Sequence, residues 1–395
     1  MNKRYALKGF GIGLLILFSV QHCYSQIDSL ARNLADTLRN KILVDDIPRV
    51  TFTDKLMYPH RWYVKQLLRP KITDRDTSYI LNAKRNLTIA LPLSQKFYGF
   101  NLHDLKQHDR LKFVPNNPYL IGFNFSTVVL TFGFAPGLKF GARPGRGNTS
   151  FRDYQLTLIG RRVITDINYQ NYTGFYEHST SEYDLTLRTP GAILVRPDLH
   201  VLAFSVNTLF VYNYKKYSLR GAFSFTDVQR KSAGSFMTGV YHSYVKFSSS
   251  DSTLVTTAFR QEVSSILSQL TSVSVNTFGV SGGYGYTYVY KQMLVSAALN
   301  LGCGGQEINY STSDSRTHAM PLGVSANTNA KVAIRYDNLH LFTGIMATYD
   351  NNYTFNTGLF NTENYIGKVE FFIGYRFPLK DHGRRVLKAL KLIDY

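Results

Sequence analysis

The chain of 395 residues holds one tryptophan, two cysteines and 26 acidic residues against 45 lysines and arginines. Each scarcity excludes something. Cys23 lies in a segment read below as removed on export, so Cys303 alone remains and no internal disulfide is expected. After the N-terminus no apolar run approaches the roughly 20 residues of a spanning helix. A membrane-embedded form of this chain therefore has to be a closed sheet, because only helices and closed barrels satisfy backbone polar groups in lipid. The formal charge of +19 comes without a helix-turn-helix, zinc-finger or RNA-binding signature, so nucleic acid is not an expected partner. Headgroup attraction or an anion-selective lumen accounts better for the basic balance.

Chemistry-bearing motifs are also scarce. His103-Asp104 and His108-Asp109 form the one dense His/carboxylate cluster, but the spacing fits no standard metal motif and reads as a solvated loop. Arg230-Lys231-Ser232 has the order of a Lys-activated serine without an accompanying oxyanion-hole signature. Gly141 to Gly147 is too short and wrongly placed for a nucleotide loop. No catalytic residue, metal site or cofactor is assigned.

What is abundant is aromatic: 28 Tyr and 27 Phe. Between Phe278 and Cys303 these residues follow strict period two. Tyr284, Tyr286, Tyr288 and Tyr290 alternate with Gly283, Gly285 and Thr287; after Lys291-Gln292, Met293, Val295, Ala297, Leu299 and Leu301 alternate with Ser296, Ala298, Asn300 and Gly302. Alternation means strand. A bulky, uncharged face opposite a small or polar one is the inside-out pattern of a transmembrane β-barrel.

At the N-terminus, Lys3, Arg4 and Lys8 precede the apolar Gly9 to Val20, and Cys23-Tyr24-Ser25 before Gln26 reads as a cleavage site; the expected signal peptide is 1–25. Removing its three cations leaves about +16. Residues 26–79 read as a periplasmic lead-in with an amphipathic helix over Ile27 to Leu43, residues 80–378 as the barrel, and 379–395 as a basic periplasmic tail. Hairpins are expected at Ser126-Thr127, Gly160-Arg161, Asn213 to Lys216 (with Tyr217 to Phe225 as the returning strand), Lys291-Gln292 and Asp337-Asn338. Long polar loops are expected over Pro136 to Thr149, Asn171 to Asp198, Gly304 to Gly323 and Asp350 to Tyr365. With one weak strand near Thr253 to Phe259, the count is about 14 strands, within 12 to 16. Short turns then face the periplasm, with both termini on that side of a bacterial outer membrane.

Charge on the small-residue face should point inward, since Arg or Lys facing lipid near the midplane costs about 2–4 kcal/mol. The expected lumen set is Arg162, Asp166, Arg220, Lys331, Arg335, Lys368, Glu370 and Arg376. Six cations against two acids predict an anion-attracting interior.

The run Tyr217-Ser-Leu-Arg-Gly-Ala-Phe223 followed by Gln229-Arg230-Lys231-Ser232-Ala233-Gly234-Ser235-Phe236 resembles the Bacteroidetes family called domain of unknown function 4421. Asn117 to Phe134, Gly160 to Tyr176 and Gly282 to Tyr290 share its pattern, and the resemblance covers Asp76 to Phe377. It implies an exported outer-membrane β-barrel with no assigned activity, so no site residue is carried over. The expected partners are outer-membrane lipid and lipopolysaccharide, the outer-membrane assembly machinery and small anionic solutes. Three functions stay open: passage or binding of a small, anionic solute; a structural or surface-interaction barrel; and an outer-membrane hydrolase or lipid-modifying enzyme.

Overall fold

The computed structural model describes residues 75–82, 86–105, 110–116, 119–126, 130–134, 143–159, 162–177, 193–224, 226–250, 253–255, 265–314, 316–355 and 359–378. The expected signal peptide, the Ile27 to Leu43 helix, the lead-in up to residue 74, the basic tail, and His108-Asp109 lie outside them.

The chain opens with β1 (Ile80–Asn82), β2 (Asn86–Asp104), β3 (Arg110–Val114), β4 (Leu120–Ile121), β5 (Phe123–Ser126), β6 (Leu130–Phe134), β7 (Ser150–Ile159), β8 (Val163–Glu177) and β9 (Leu194–Val211). A short helix, α1 (Leu219–Phe223), and β10 (Asp227–Gln229) interrupt the strands. Then come β11 (Ala233–Ser249), β12 (Leu270–Tyr290), β13 (Met293–Thr312), β14 (Thr317–Ala319), β15 (Gly323–Asn338), β16 (Leu341–Phe355) and β17 (Phe360–Pro378). Twelve described strands form one antiparallel ring: β2, β5, β6, β7, β8, β9, β11, β12, β13, β15, β16 and β17. β12 pairs with β13, and β17 returns to β2 with Phe371 opposite Leu93, which closes the sheet. Closure removes the edges that an open sheet would expose.

Twelve described strands lie inside the expected range of 12 to 16, and two segments expected to be strands are not strand where they are described. Of the expected Tyr217 to Phe225 strand, the described residues 217–224 do not return as a strand; Leu219–Phe223 form α1. Ser218 caps that helix, its Oγ accepting the Gly221 N–H at 3.0 Å, a local bond that competes with extended backbone. The strand that pairs back onto β9 is β11, with Met237 opposite Val211. Nor is Thr253–Val255 a strand; residues 256–259 are outside the described set. The turn between β15 and β16 also differs. Asp337 and Asn338 remain paired in the ladder, and Leu339-His340 make the turn, with Leu339 at φ 56°.

Two of the four long polar connectors, Gly304 to Gly323 and Asp350 to Tyr365, are largely strand, and β8 and β9 extend into a third, because polarity reverses along the strands. On β12 the outward side chains from Phe278 to Tyr290 are apolar or aromatic, while Ser272, Ser274 and Asn276 continue the same face. Inside, Val273 and Val275 are buried above Thr277, Ser281 and Thr287. β13 repeats this: Leu299 and Leu301 face out below Glu307 and Asn309, and Ile308 is buried where Ser296 and Asn300 lie further down. One half of the barrel is thus inside-out, as lipid requires, and the other has an ordinary apolar interior and polar exterior, as water requires. A search for bulky residues on one fixed parity loses the strand at the crossing. β13 therefore runs on to Thr312, β16 to Phe355, and β17 starts at Phe360.

That second half, at the long-loop end, is filled by an apolar core. Tyr98, Phe100, Phe113, Tyr172, Phe175 and Phe247 pack there in stacked and edge contacts. Leu254, Val255 and Leu267 from the β11–β12 connection join them. Arg196 ties that connection down, donating to the Thr253 and Leu254 carbonyls at 2.9 and 2.7 Å.

Candidate functional site: the barrel interior

At the short-turn end the interior is closed differently. The segment between β9 and β11 folds back into the mouth. β10 pairs with β1, and α1 presses Leu219 and Phe223 upward. Leu219 packs with Ile164, Leu209 and Ala298; Phe223 meets Ala333, Phe342, Met346 and Phe372. The glycine face of β12 makes room for this cap: a Cβ on Gly285 would collide with the Tyr217 hydroxyl.

Buried charges fix the cap. Asp227 accepts from Arg75 Nη1 at 2.5 Å, from Arg220 Nη2 at 2.9 Å and from Ser218 Oγ at 2.6 Å, with no exposed side-chain surface of its own. On the facing wall Arg376 binds Asp337 through two nitrogens at 2.8 and 2.9 Å, and Arg335 approaches the same carboxylate at 3.2 Å. The Arg376 guanidinium also lies 4.5 Å from the Phe342 ring centroid. Bidentate arginine–carboxylate pairing is the geometry in which a buried charge is tolerated.

Between α1 and the apolar core lies a polar chamber of about 210 Å³. Its walls are asparagine, glutamine, serine and threonine from most strands of the ring, with Leu219, Phe223 and Met346 at the α1 end. Three inward lysines share one register row: Lys331 opposite Thr348, Thr348 opposite Lys368, and Lys368 opposite Lys96. Each has a carboxylate. Lys331 Nζ reaches Asp166 Oδ2 at 3.1 Å, from the far side of the ring; Lys368 pairs with Glu370 at 2.7 Å; Lys96 pairs with Asp153. Asp166 also accepts from Thr157 at 2.7 Å. Asp350 is a fourth acid on this level. It accepts from Asn329 Nδ2 at 2.8 Å and makes no ion pair among the described residues.

Of the eight charges expected in the lumen, Asp166, Lys331, Lys368 and Glu370 line the chamber, and Arg335 and Arg376 lie inside the short-turn mouth. Two lie elsewhere. Arg162 sits beside the β7–β8 turn, 4.5 Å over the Tyr214 ring and 3.1 Å from its hydroxyl. Arg220 belongs to α1, not to a wall strand. Six cations against two acids is therefore not the balance the chamber has. On its level three lysines meet four acids, because Lys96, Asp153 and Asp350 stand at inward positions not counted from the sequence. Asp350 opens a stretch expected to be loop, and Asp337 reads as a turn residue; continuing the inward parity of Lys331, Ala333 and Arg335 by one step reaches Asp337.

Among the described residues the catalytic candidates do not assemble. His103 is on the outer face of β2, 3.6 Å from Glu363, with its ring tilted at 60° to that of Tyr353. Ser232 Oγ accepts the Val289 N–H at 2.9 Å, a structural role. Among the described residues no group of three or more His, Cys, Asp or Glu is placed to hold a metal ion.

The family model described as a domain of unknown function (DUF4421) matches residues 74–377. No curated protein matches the chain. Among solved structures, the outer membrane protease OmpT from Escherichia coli is 11% identical with a TM-score of 0.35, over 74% of this chain and 97% of that one. The toluene transporter TodX from Pseudomonas putida is 7% identical with a TM-score of 0.25, over 84% and 95%. A major outer membrane protein from Thermus thermophilus is 8% identical with a TM-score of 0.23, over 74% and 99%.

Proposed function

We propose that this chain, which belongs to the DUF4421 family, is a non-enzymatic outer-membrane barrel that holds a small polar solute in its central chamber. The short-turn end then faces the periplasm, with both chain ends on that side, and the aromatic exterior contacts lipid and lipopolysaccharide. One observation carries the reading: a polar chamber lies inside the lipid-facing half, with apolar packing on either side of it. Concave sites with a few convergent polar groups are where small ligands bind. Passage through the barrel requires both that α1 leave the mouth and that the apolar core of the long-loop end open; the ion pairs around Asp227 make the first a discrete step rather than a gradual loosening. Anion preference, the expectation from an excess of cations, loses its support once each lysine of the chamber is paired.

Equilibrium dialysis of the purified full chain in detergent, against labelled amines, carboxylates and sugars, tests the reading. Saturable uptake of one class at about one equivalent per chain is expected. Uptake no greater than detergent alone for every class would favour the second reading, a structural barrel, for which the filled long-loop end is the supporting feature.

A further inference from the structure

We infer that the chamber takes a small organic cation, bound through an ammonium or guanidinium group at Asp350, Glu370 and the asparagine carbonyls around them. The inference rests on the solute-binding reading above and adds its chemical class. Two independent observations support it. The first is charge: on the chamber level four carboxylates face three lysines, and Asp350 is the acid without an ion-pair partner among the described residues. The second is the direction of the open hydrogen-bonding capacity. Glu370 Oε1, Asn364 Oδ1 and Asn329 Oδ1 have no hydrogen-bond partner, and these side chains are only 2%, 8% and 9% exposed. All three residues line the chamber. The Asn329 amide orientation is fixed by its Nδ2 donating to Asp350, which leaves its buried carbonyl oxygen as an unfilled acceptor in the chamber wall.

All three atoms are acceptors; of the other unpartnered atoms on lining residues, Asn207 Oδ1 is a fourth acceptor and the Thr131 hydroxyl can donate or accept. A sugar or water supplies donors and acceptors alike, and an anion supplies acceptors alone, which would face lone pairs here. An alkylammonium or guanidinium supplies donors alone, with the compensating charge. Lys331 is the internal competitor. Its ammonium already occupies Asp166, across the lumen from its own strand, and both groups remain about a fifth exposed to the chamber. A bound cation shares these carboxylates with it.

Isothermal titration calorimetry on the full chain in detergent, with agmatine, glucose and glutarate as cationic, neutral and anionic probes, tests the inference. Agmatine should bind, and glutarate should not. Asp350→Asn and Glu370→Gln should each weaken agmatine about tenfold, the loss of one charge-assisted bond. Lys331→Gln should tighten it several-fold, a gain that a damaged barrel cannot produce; heat-dependent gel mobility checks folding. Unchanged affinity in the folded Asp350→Asn and Glu370→Gln proteins, weaker binding in Lys331→Gln, or preference for glutarate or glucose would overturn the cation assignment while leaving a solute site. Binding of none of the three probes would overturn the assignment and count against the solute-binding reading itself.

Discussion

Replacing Asp227 with asparagine should release the cap and leave the barrel standing. The carboxylate has no exposed side-chain surface and holds two guanidiniums, Arg75 at 2.5 Å and Arg220 at 2.9 Å, with Ser218 at 2.6 Å. An asparagine side chain there would keep hydrogen-bonding capacity but not charge, so two buried cations would lose their counter-ion. Breaking a buried pair from one side costs about 3–5 kcal/mol. The ring strands do not depend on Asp227, so the cost falls on the equilibrium between docked and undocked cap. At about 1.4 kcal/mol per decade, the undocked population should rise roughly a hundred- to several-thousand-fold. Hydrogen exchange read by mass spectrometry should show lost protection across residues 214–229, with β12 and β13 unchanged. Replacing the pair together, Arg220→Met with Asp227→Leu, should restore much of the protection, because an apolar pair of similar size removes the uncompensated charge. Unchanged exchange in Asp227→Asn would refute the ion-pair account of the cap. Equal loss across all strands would show that the cap and the barrel are a single cooperative unit.

Three further outcomes follow from the geometry. Leu299→Arg, on the outer face of the lipid-facing half, should cost about 2–4 kcal/mol in denaturant-induced unfolding from bilayers, whereas Asn309→Arg, on the same strand past the polarity crossing, should cost at most about 1 kcal/mol; equal costs would remove the membrane boundary placed between them. Glu177, in the part of β8 beyond the apolar band, has its carboxyl pushed up to about 7 by burial, against the opposing pull of Arg196. A raised acid pKa stabilises the fold below the unfolded value near 4.5, and that stability is lost as pH rises through 7. Proteolytic resistance of the long-loop end should fall over that window, and Glu177→Gln should flatten the profile. A cysteine at the exposed Ser313, with Cys303 replaced by serine, should react with an impermeant thiol reagent on whole cells; reaction only after the outer membrane is broken would invert the orientation.

The lipid-facing half is legible because one physical demand, apolar outside and small or polar inside, acts on every second residue. Phe278 to Tyr290 and Met293 to Cys303 can be assigned to faces residue by residue, and Lys331, Arg335 and Arg376 follow from the same parity. The far half is less legible for the same reason. Where the outside becomes water, Val273 and Ile308 turn inward and Ser274 and Asn309 outward, and the fixed pattern dissolves although the strand continues. The cap escapes differently. Tyr217, Leu219, Phe223 and Phe225 are spaced as a strand would be, but Ser218 caps a helix turn, and the burial of Arg220 against Asp227 seven positions later is a tertiary fact. Asp350 shows that a site residue can be lost to a boundary error of a single residue, since the apolar alternation ends at Tyr349.

The most direct test of the closed chamber is the reactivity of a cysteine placed inside it. Thr348 lines the chamber, so Thr348→Cys in a Cys303→Ser background reports access to it. With a small charged methanethiosulfonate on the purified protein, modification should be far slower than at the exposed Ser313→Cys, and should accelerate by at least about tenfold when Asp227→Asn is added, a lower bound on the shift toward the undocked cap. Equally fast modification of Thr348→Cys and Ser313→Cys without the cap mutation would mean an open lumen, and would contradict a solute chamber closed by α1.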